Sequence, residues 1–201
     1  MTLSLLILAL FASYLVGSLP TAYLIGKTKG IDIRTIGSGN VGATNALRAL
    51  GAGAGLAVFL IDALKGAVAV RLIPHMMMGT APSAVELGCG LAAVLGHDFP
   101  WALRFRGGKG VATTIGVLAA AQPWIAVWVV ATWLVVFGLA RYVSLGSLAA
   151  AVAIPIAQWS AHHALPDVAI GAVLAMLIIV QHRSNVRRLF SGAEHRFAAR
   201  H

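Results

Sequence analysis

Long apolar stretches follow one another along almost the whole chain, and the short segments between them carry most of its charges. Only 10% of the residues are charged and 59% are hydrophobic, whereas soluble domains carry roughly 25% charged residues. A helix of about 20 apolar residues crosses a bilayer, and shorter helices suffice where protein lines a polar cavity. The sequence therefore predicts an all-α polytopic membrane protein.

The apolar stretches predict seven transmembrane helices in a single integral membrane domain that occupies residues 1–201. Pro123 separates the fourth helix from the fifth, because proline disrupts a helix interior and disfavours helix in the residue before it. The expected spans are approximately 3–25, 46–73, 84–97, 110–121, 123–140, 144–160 and 168–183.

The distribution of charge predicts the orientation of these helices. Alternate connections with the span ends that border them, and the tail, hold 13 of the 15 Lys and Arg residues. The other two, Lys65 and Arg71, lie within the second span. Lys and Arg collect in cytoplasmic loops, so we expect the N-terminus outside and the C-terminus in the cytoplasm. This topology accounts for the basic excess, and no nucleic-acid partner is expected.

The first cytoplasmic loop combines glycines with polar side chains. It reads Gly37-Ser38-Gly39-Asn40-Val41-Gly42-Ala43-Thr44-Asn45, and Arg48 follows about one turn into the next helix. Glycines let backbone amides approach an anion, a helix N-terminus attracts it, and an Arg fork binds phosphate bidentately. We predict a phosphate site here; the alternatives are that the loop only caps the helix and that Arg48 only marks the membrane boundary.

The spacing of Gly37, Gly39 and Gly42 also matches the dinucleotide-binding fingerprint. That fingerprint requires a preceding strand within a strand-helix-strand unit, and the sequence predicts no such unit. We therefore expect no nucleotide cofactor. The scattered histidines and the single cysteine, Cys89, show no metal-ligand spacing, so no metal site is expected either.

A second glycine-rich loop, Gly107-Gly108-Lys109-Gly110, precedes another apolar helix. Lys109 is predicted to contact a phosphate or an oxyanion at the membrane surface; the alternative is a lysine that only snorkels or sets the topology. Arg104 and Arg106 are interpreted as orientation signals or lipid contacts. His97 ends the third span and is assigned a structural or binding role, with proton transfer beside Asp98 as the alternative.

Polar residues also mark the end of the last span and the middle of the second. His182 and Asn185 have i,i+3 spacing, so they share a helix face and either bind a substrate or form a polar helix end. Glu194 either orders the tail through an arginine or points into the site. Asp62 and Lys65, also at i,i+3, are expected to neutralise each other, with an ion pathway as the alternative.

Taken together, these segments resemble the bacterial acyl-phosphate:glycerol-3-phosphate acyltransferases, the membrane enzymes called PlsY. The resemblance lies in three pairs of segments, and Val41 stands where the family often has proline. The pairs are Gly17-Ser18-Leu19-Pro20-Thr21-Ala22-Tyr23 with residues 37–45, Gly96-His97 with Gly107-Gly108-Lys109-Gly110-Val111-Ala112, and His182-x-x-Asn185 with Gly192-x-Glu194.

The resemblance implies seven transmembrane helices and a cytoplasm-facing active site in the bacterial inner membrane. It also implies transfer of an acyl group from acyl-phosphate to the 1-hydroxyl of sn-glycerol 3-phosphate, without a covalent acyl-enzyme and without a cofactor. The products are lysophosphatidic acid and phosphate, in the first committed step of phospholipid synthesis. A soluble acyl-phosphate synthase is a candidate partner beside membrane lipids. The competing functions are an organic-phosphate transporter with Asp62 and Lys65 in its pathway and a non-catalytic lipid-binding or scaffold protein.

Two groups of site residues follow from the motifs and the resemblance. The residues assigned to catalysis are Ser38, Arg48, Lys109, His182 and Asn185. The residues assigned to substrate binding are Gly37, Gly39, Asn40, Thr44, Asn45, His97, Gly108 and Glu194.

Overall fold

Helices account for all regular secondary structure in the computed structural model, within its described residues 2–197. The prediction of an all-α protein is therefore confirmed. The chain forms two compact units, Met1–Ala121 and Gln122–His201. The assignment of residues 1–201 to a single domain stays a prediction, and Arg200, which counts toward the predicted cytoplasmic charge, lies outside the described residues.

The first unit contains seven α-helices and two single-turn 3-10 helices within its described part. The 3-10 helices, Ile33–Thr35 and Trp101–Leu103, lie in the two loops that the sequence analysis singles out. The α-helices are α1 (Leu3–Gly17), α2 (Thr21–Thr28), α3 (Ala43–Leu50), α4 (Ala52–Arg71), α5 (Ile73–Met78), α6 (Ser83–Asp98) and α7 (Val111–Ala121).

Two of the expected spans are interrupted. The stretch 3–25 breaks between α1 and α2, because Pro20 has no N–H with which to continue the helix. The stretch 46–73 breaks at Gly51, whose φ of 92° lies outside the helical region, and again near Pro74 at the start of α5. Apolar composition continues through these breaks, so hydropathy alone missed them.

The second unit contains four helices in its described part, which are α8 (Pro123–Ala140), α9 (Val143–Ser160), α10 (Leu165–Gln181) and α11 (Arg183–Phe190). The break predicted before Pro123 is present, and Pro123 occupies the first turn of α8. The chain bends by 58° between α10 and α11, so the final helix departs sharply from the apolar one before it.

By length and composition, three helical stretches are apolar enough to cross a membrane, and a fourth qualifies if α10 and α11 form one bent span. The three are Leu3–Thr28, Pro123–Ala140 and Val143–Ser160. Helix α7 is apolar but has only 11 residues, and α4 carries buried Asp62 and Lys65. The predicted count of seven spans and the orientation of the termini therefore stay predictions.

Close backbone contact between α4 and α7 positions the second glycine-rich loop. A Cβ at Gly66 would overlap the carbonyl of Thr113, and one at Gly116 would overlap the carbonyl of Ala63. Small residues at a helix crossing allow this approach, as is common between helices in membranes. The contact holds the first turn of α7, directly after Gly110, against the turn of α4 that contains Asp62 and Lys65.

Candidate functional site

The first glycine-rich loop is organised by the side chain of Asn45. This residue lies in α3 and is 1% exposed. Its Oδ1 accepts a hydrogen bond from the Ser38 N–H at 3.1 Å. Its Nδ2 group donates to the carbonyls of Ile33, Ile36 and Asn40 at 3.1, 3.0 and 3.1 Å. Asn45 thus holds the loop backbone on both sides of Ser38. Its side chain stabilises the conformation of the loop.

Glycines allow the loop to close around this amide. Gly37 has a φ of 61° and Gly39 a φ of 68°, values that side-chain-bearing residues rarely adopt. A Cβ at Gly37 would overlap Asn45 Oδ1, and a Cβ at Gly39 would lie 2.9 Å from the Arg34 carbonyl. Ser38 is consequently presented at the surface of the unit, between two backbone positions that require glycine.

The loop does not cap α3 through a side chain. The N-cap residue is Gly42, which has no side chain with which to cap the helix. The capping alternative therefore does not explain Ser38, Asn40 or Thr44. Thr44 is in the first turn of α3, and the exposed Arg48 lies one turn further along the same face. Helix α3 thereby presents a hydroxyl and a guanidinium near the loop.

The second glycine-rich loop is fixed by its backbone. The N–H of Gly107 donates to the carbonyl of Asp98 at 3.0 Å, and that of Gly108 donates to the carbonyl of His97 at 3.0 Å. A Cβ at Gly108 would overlap His97 Nε2. The loop that carries the half-buried Lys109 is therefore held directly against the end of α6.

His97 and Gly108, both assigned to substrate binding, are thus part of the support of this loop. His97 is 7% exposed, and its Nδ1 lies 3.6 Å from Asp62 Oδ1. Asp62 and Lys65 form the expected ion pair, with Nζ 2.9 Å from Oδ1. The ring does not need a contact with Asp98 to stay in place, because its Nδ1 faces the carboxylate of Asp62.

In the second unit, the structure indicates the tautomer of His182. Its Nδ1 lies 2.8 Å from the carbonyl oxygen of Ile178. A carbonyl only accepts hydrogen bonds, so Nδ1 carries the proton. In the neutral ring, the lone pair is then on Nε2. His182 is 4% exposed and occupies the bend between α10 and α11.

Asn185, in the first turn of α11, is held by Glu194. Glu194 Oε1 accepts from Asn185 Nδ2 and from the Ser144 hydroxyl, each at 2.7 Å. Its Oε2 accepts from Arg188 Nε at 2.7 Å. Burial alone would raise the pKa of Glu194, but the hydrogen bonds from Asn185, Ser144 and Arg188 outweigh it and lower the pKa.

Glu194 therefore follows the first alternative from the sequence, since it orders the tail through an arginine. The N–H of Phe197 donates to the carbonyl of Arg141 at 2.9 Å and holds the tail further on. Sequence reasoning missed Ser144, which lies fifty residues from its partner in the chain. It also missed Thr21 beside Asp62, because no local spacing relates residues that meet only in the folded chain.

The structure divides the predicted site residues between the units. The first unit contains both loops, with Ser38, Arg48 and Lys109, and the second contains His182, Asn185 and Glu194. Within each unit, a residue assigned to substrate binding holds a residue assigned to catalysis. Asn45 accepts a hydrogen bond from the Ser38 N–H, and Glu194 accepts one from Asn185 Nδ2.

Comparisons with known proteins agree with one another. The profile of the glycerol-3-phosphate acyltransferase family matches residues 7–192. The chain is 46% identical to glycerol-3-phosphate acyltransferase 2 of Moorella thermoacetica, over 96% of this chain and 98% of that protein. It is 44% identical to the glycerol-3-phosphate acyltransferase of Aquifex aeolicus, with the same coverage of 96% and 98%.

Two solved structures are similar over almost the whole chain. Both are described as PlsY (YgiH), an integral membrane glycerol 3-phosphate acyltransferase, one in a glycerol 3-phosphate form and one in a lysophosphatidic acid form. Their TM-scores are 0.90 and 0.88, each at 41% identity and over 96% of this chain, and they are covered over 96% and 95% of their own length. The chain therefore belongs to the glycerol-3-phosphate acyltransferase family whose integral membrane members include PlsY.

Proposed function

We propose that this protein transfers an acyl group from acyl-phosphate to the 1-hydroxyl of sn-glycerol 3-phosphate. The products are lysophosphatidic acid and inorganic phosphate, in the first committed step of phospholipid synthesis. The observation that carries the proposal is the presence of two separate glycine-rich loops with cations in one unit. Both proposed substrates bear a phosphate, so the reaction needs two phosphate contacts. Similarity to structures of PlsY in glycerol 3-phosphate and lysophosphatidic acid forms supports the acceptor and the product.

The chemistry needs alignment and charge stabilisation more than a nucleophile from the protein. The acceptor hydroxyl oxygen forms a bond to the acyl carbon, and the bond from that carbon to the phosphate oxygen breaks. The phosphate departs and takes up the hydroxyl proton, so no covalent acyl-enzyme is required. Arg48 and Lys109 stabilise the phosphate charges, and alignment of the reactants supplies a large part of the rate enhancement.

The residues of the second unit have positioning roles in this proposal. With its proton on Nδ1, His182 accepts a hydrogen bond at Nε2 from a hydroxyl of glycerol 3-phosphate. Asn185, fixed by Glu194, presents its amide oxygen to a donor on the same substrate. In the first unit, Ser38, Asn40 and Thr44 are assigned to contacts with a phosphate-bearing substrate, and the glycines at positions 37 and 39 let the backbone approach it.

The proposed setting is the bacterial inner membrane. Seven spans place the N-terminus outside and both glycine-rich loops in the cytoplasm, where the positive-inside rule puts their cations. The acyl chain then remains among the helices while its phosphate reaches Lys109. A soluble acyl-phosphate synthase is proposed to deliver the donor at this basic face, which includes Arg104 and Arg106.

The test is acyl transfer by the purified protein in detergent, where a transporter has no compartment to fill. Labelled acyl-phosphate and glycerol 3-phosphate are supplied, with acyl-CoA as the competing donor. We expect product from acyl-phosphate only. Lys109→Ala should lower kcat/KM by roughly a hundredfold or more, because it removes a contact to developing charge.

Arg106→Ala is the matched control, since it removes a cation from the same connection and leaves the loop of Lys109 intact. Its kcat/KM should stay within about twofold of the wild-type value. Folded wild-type protein that forms no product from either donor would refute the acyltransferase proposal. Product from acyl-CoA at the same rate would refute the choice of donor.

A further inference from the structure

Asp62 and Lys65 make more contacts than an isolated ion pair needs. Their side chains are 2% and 4% exposed, and both lie in α4. Besides the contact with Lys65, Asp62 Oδ1 accepts a hydrogen bond from the Thr21 hydroxyl at 2.9 Å. Charges inside a membrane-spanning helix are costly and commonly have a function. The remaining contacts of the pair show which parts of the first unit it joins.

Lys65 contacts the break between α1 and α2. Because Pro20 lacks an N–H, the helix cannot continue through this point, and the carbonyl of Leu19 is left beside the break. That carbonyl accepts hydrogen bonds from the Thr21 N–H at 3.0 Å and from Lys65 Nζ at 3.1 Å. The ammonium group thereby joins the interrupted first helix to α4.

Asp62 contacts the support of the second glycine-rich loop. His97 Nδ1 lies 3.6 Å from Asp62 Oδ1, and the Nε2 edge of the same ring lies against Gly108. The ring is therefore enclosed between the Asp62 carboxylate and the backbone of the loop. The Gly108 N–H also donates to the backbone carbonyl of His97 at 3.0 Å, so both the ring and the backbone of His97 contact the loop. A change in the position of the ring displaces the residue next to Lys109.

We infer that Asp62, Lys65 and Thr21 are positioning residues for the loop of Gly107 to Gly110, and that they act through His97. The cluster fixes one edge of the His97 ring, and the other edge fixes the loop. The inference rests on the proposed function, in which Lys109 binds a substrate phosphate. It differs from the simpler interpretation of the pair, in which the two charges only neutralise each other.

A double variant separates the two interpretations. Asp62→Asn with Lys65→Met removes both charges, so neither is left buried alone. If the pair only neutralises itself, the folded variant keeps the wild-type KM for both substrates. If the pair positions the loop, the KM for the substrate at Lys109 rises about tenfold or more, because small displacements are costly in an aligned site. A purely structural defect lowers the amount of active enzyme and leaves both KM values unchanged.

The matched control is the ion pair between Arg71 and Glu86 in the same unit, whose Nη1 and Oε1 atoms are 3.2 Å apart. Glu86→Gln should leave both KM values unchanged. Thr21→Val keeps both charges and removes the hydroxyl that donates to Asp62, so the same KM should rise about threefold by the same mechanism. Thr21→Ser keeps the hydroxyl and should retain the wild-type KM.

Action through His97 is tested by a double-mutant cycle. Asp62→Asn should change the KM by less than about twofold when His97 is already alanine, although it raises the KM in the wild-type background. Equal factors in both backgrounds would overturn the route through His97. Wild-type KM values in the folded double variant Asp62→Asn/Lys65→Met would overturn the inference. The proposed function would still stand in that case, provided that the wild-type protein turns over its substrates. A wild-type protein without turnover would overturn both.

Discussion

The two glycine-rich loops of the first unit are held in opposite ways. One side chain, Asn45, holds the first loop through four hydrogen bonds to its backbone. The second loop is held by its own backbone, through the Gly107 and Gly108 N–H groups, and by the close fit of Gly108 to His97. The comparison shows that similar glycine-rich sequences are stabilised differently. Both loops require glycine at particular positions, but only the first also depends on a single side chain for most of its backbone contacts.

Among changes to the residues that hold the two loops, the largest effect is expected from Gly108→Ala. The added methyl group overlaps His97 Nε2, so either the ring or the loop must move. Displacement of the loop next to Lys109 should lower kcat/KM by about a hundredfold, measured with acyl-phosphate and glycerol 3-phosphate. Gly30→Ala is the control, since nothing lies within 4 Å of a Cβ there, although its φ of 71° adds some strain.

The steric cause of this loss can be tested separately. His97→Ala removes the ring that the new methyl group meets. Adding Gly108→Ala to His97→Ala should therefore lower kcat/KM by less than about threefold beyond His97→Ala alone. If Gly108→Ala lowers kcat/KM by the same factor in the wild type and in His97→Ala, contact with His97 is not the reason why position 108 requires glycine.

Asn45→Ala should produce the next largest effect. It leaves the Ser38 N–H and several carbonyls without their partner, which costs roughly 2 kcal/mol of folding stability. Ser38 loses its fixed position, so kcat/KM should fall by roughly tenfold to a hundredfold. Thermal unfolding in detergent measures the loss of stability, and steady-state kinetics measure the loss of kcat/KM. Shortening a neighbouring side chain should not restore activity, because the Asn45→Ala variant loses hydrogen bonds and creates no steric overlap.

Asn45→Asp sharpens the same test, because aspartate keeps the size of the side chain and the acceptor for Ser38. It cannot donate to the three carbonyls that Nδ2 contacts. Aspartate should therefore impair activity at least as much as alanine does. Near-normal activity in the aspartate variant would show that the donor half of the amide does not hold the loop.

The sequence predicted the helical class, the break at Pro123 and the location of both loops, because proline, glycine and apolar composition act locally. It did not predict the breaks at Pro20 and Gly51, since hydropathy continues through them. Its assignment of Asn45 and His97 to substrate binding stays a prediction, but it did not predict that Asn45 holds the backbone of the first loop or that His97 lies against Asp62 of α4. An amide or imidazole in a motif has the same spacing whatever it contacts, so its partners within the protein become visible only in the fold.

The smallest effect is expected at the start of the first loop, where Asp32 receives hydrogen bonds from Arg34 Nε and Nη2 at 2.9 and 2.6 Å. The side-chain hydrogen bond from Arg34, followed by the one from its backbone N–H, lowers the pKa of Asp32 from 3.8 to about 2. A depressed folded-state pKa means that the stabilising contribution is present above pH 3.8 and is lost as the pH falls toward 2.

Asp32 is therefore ionised throughout the working pH range, and its partner is an exposed arginine. Asp32→Asn should change kcat/KM by less than about twofold, because exposed ion pairs contribute little. The pH profiles of the variant and the wild type should run parallel from about pH 5 to pH 9. If they diverge there, the pair at the start of the loop contributes to the position of Ser38. Asn45 would then share its role, and the first loop would depend on more than one side chain.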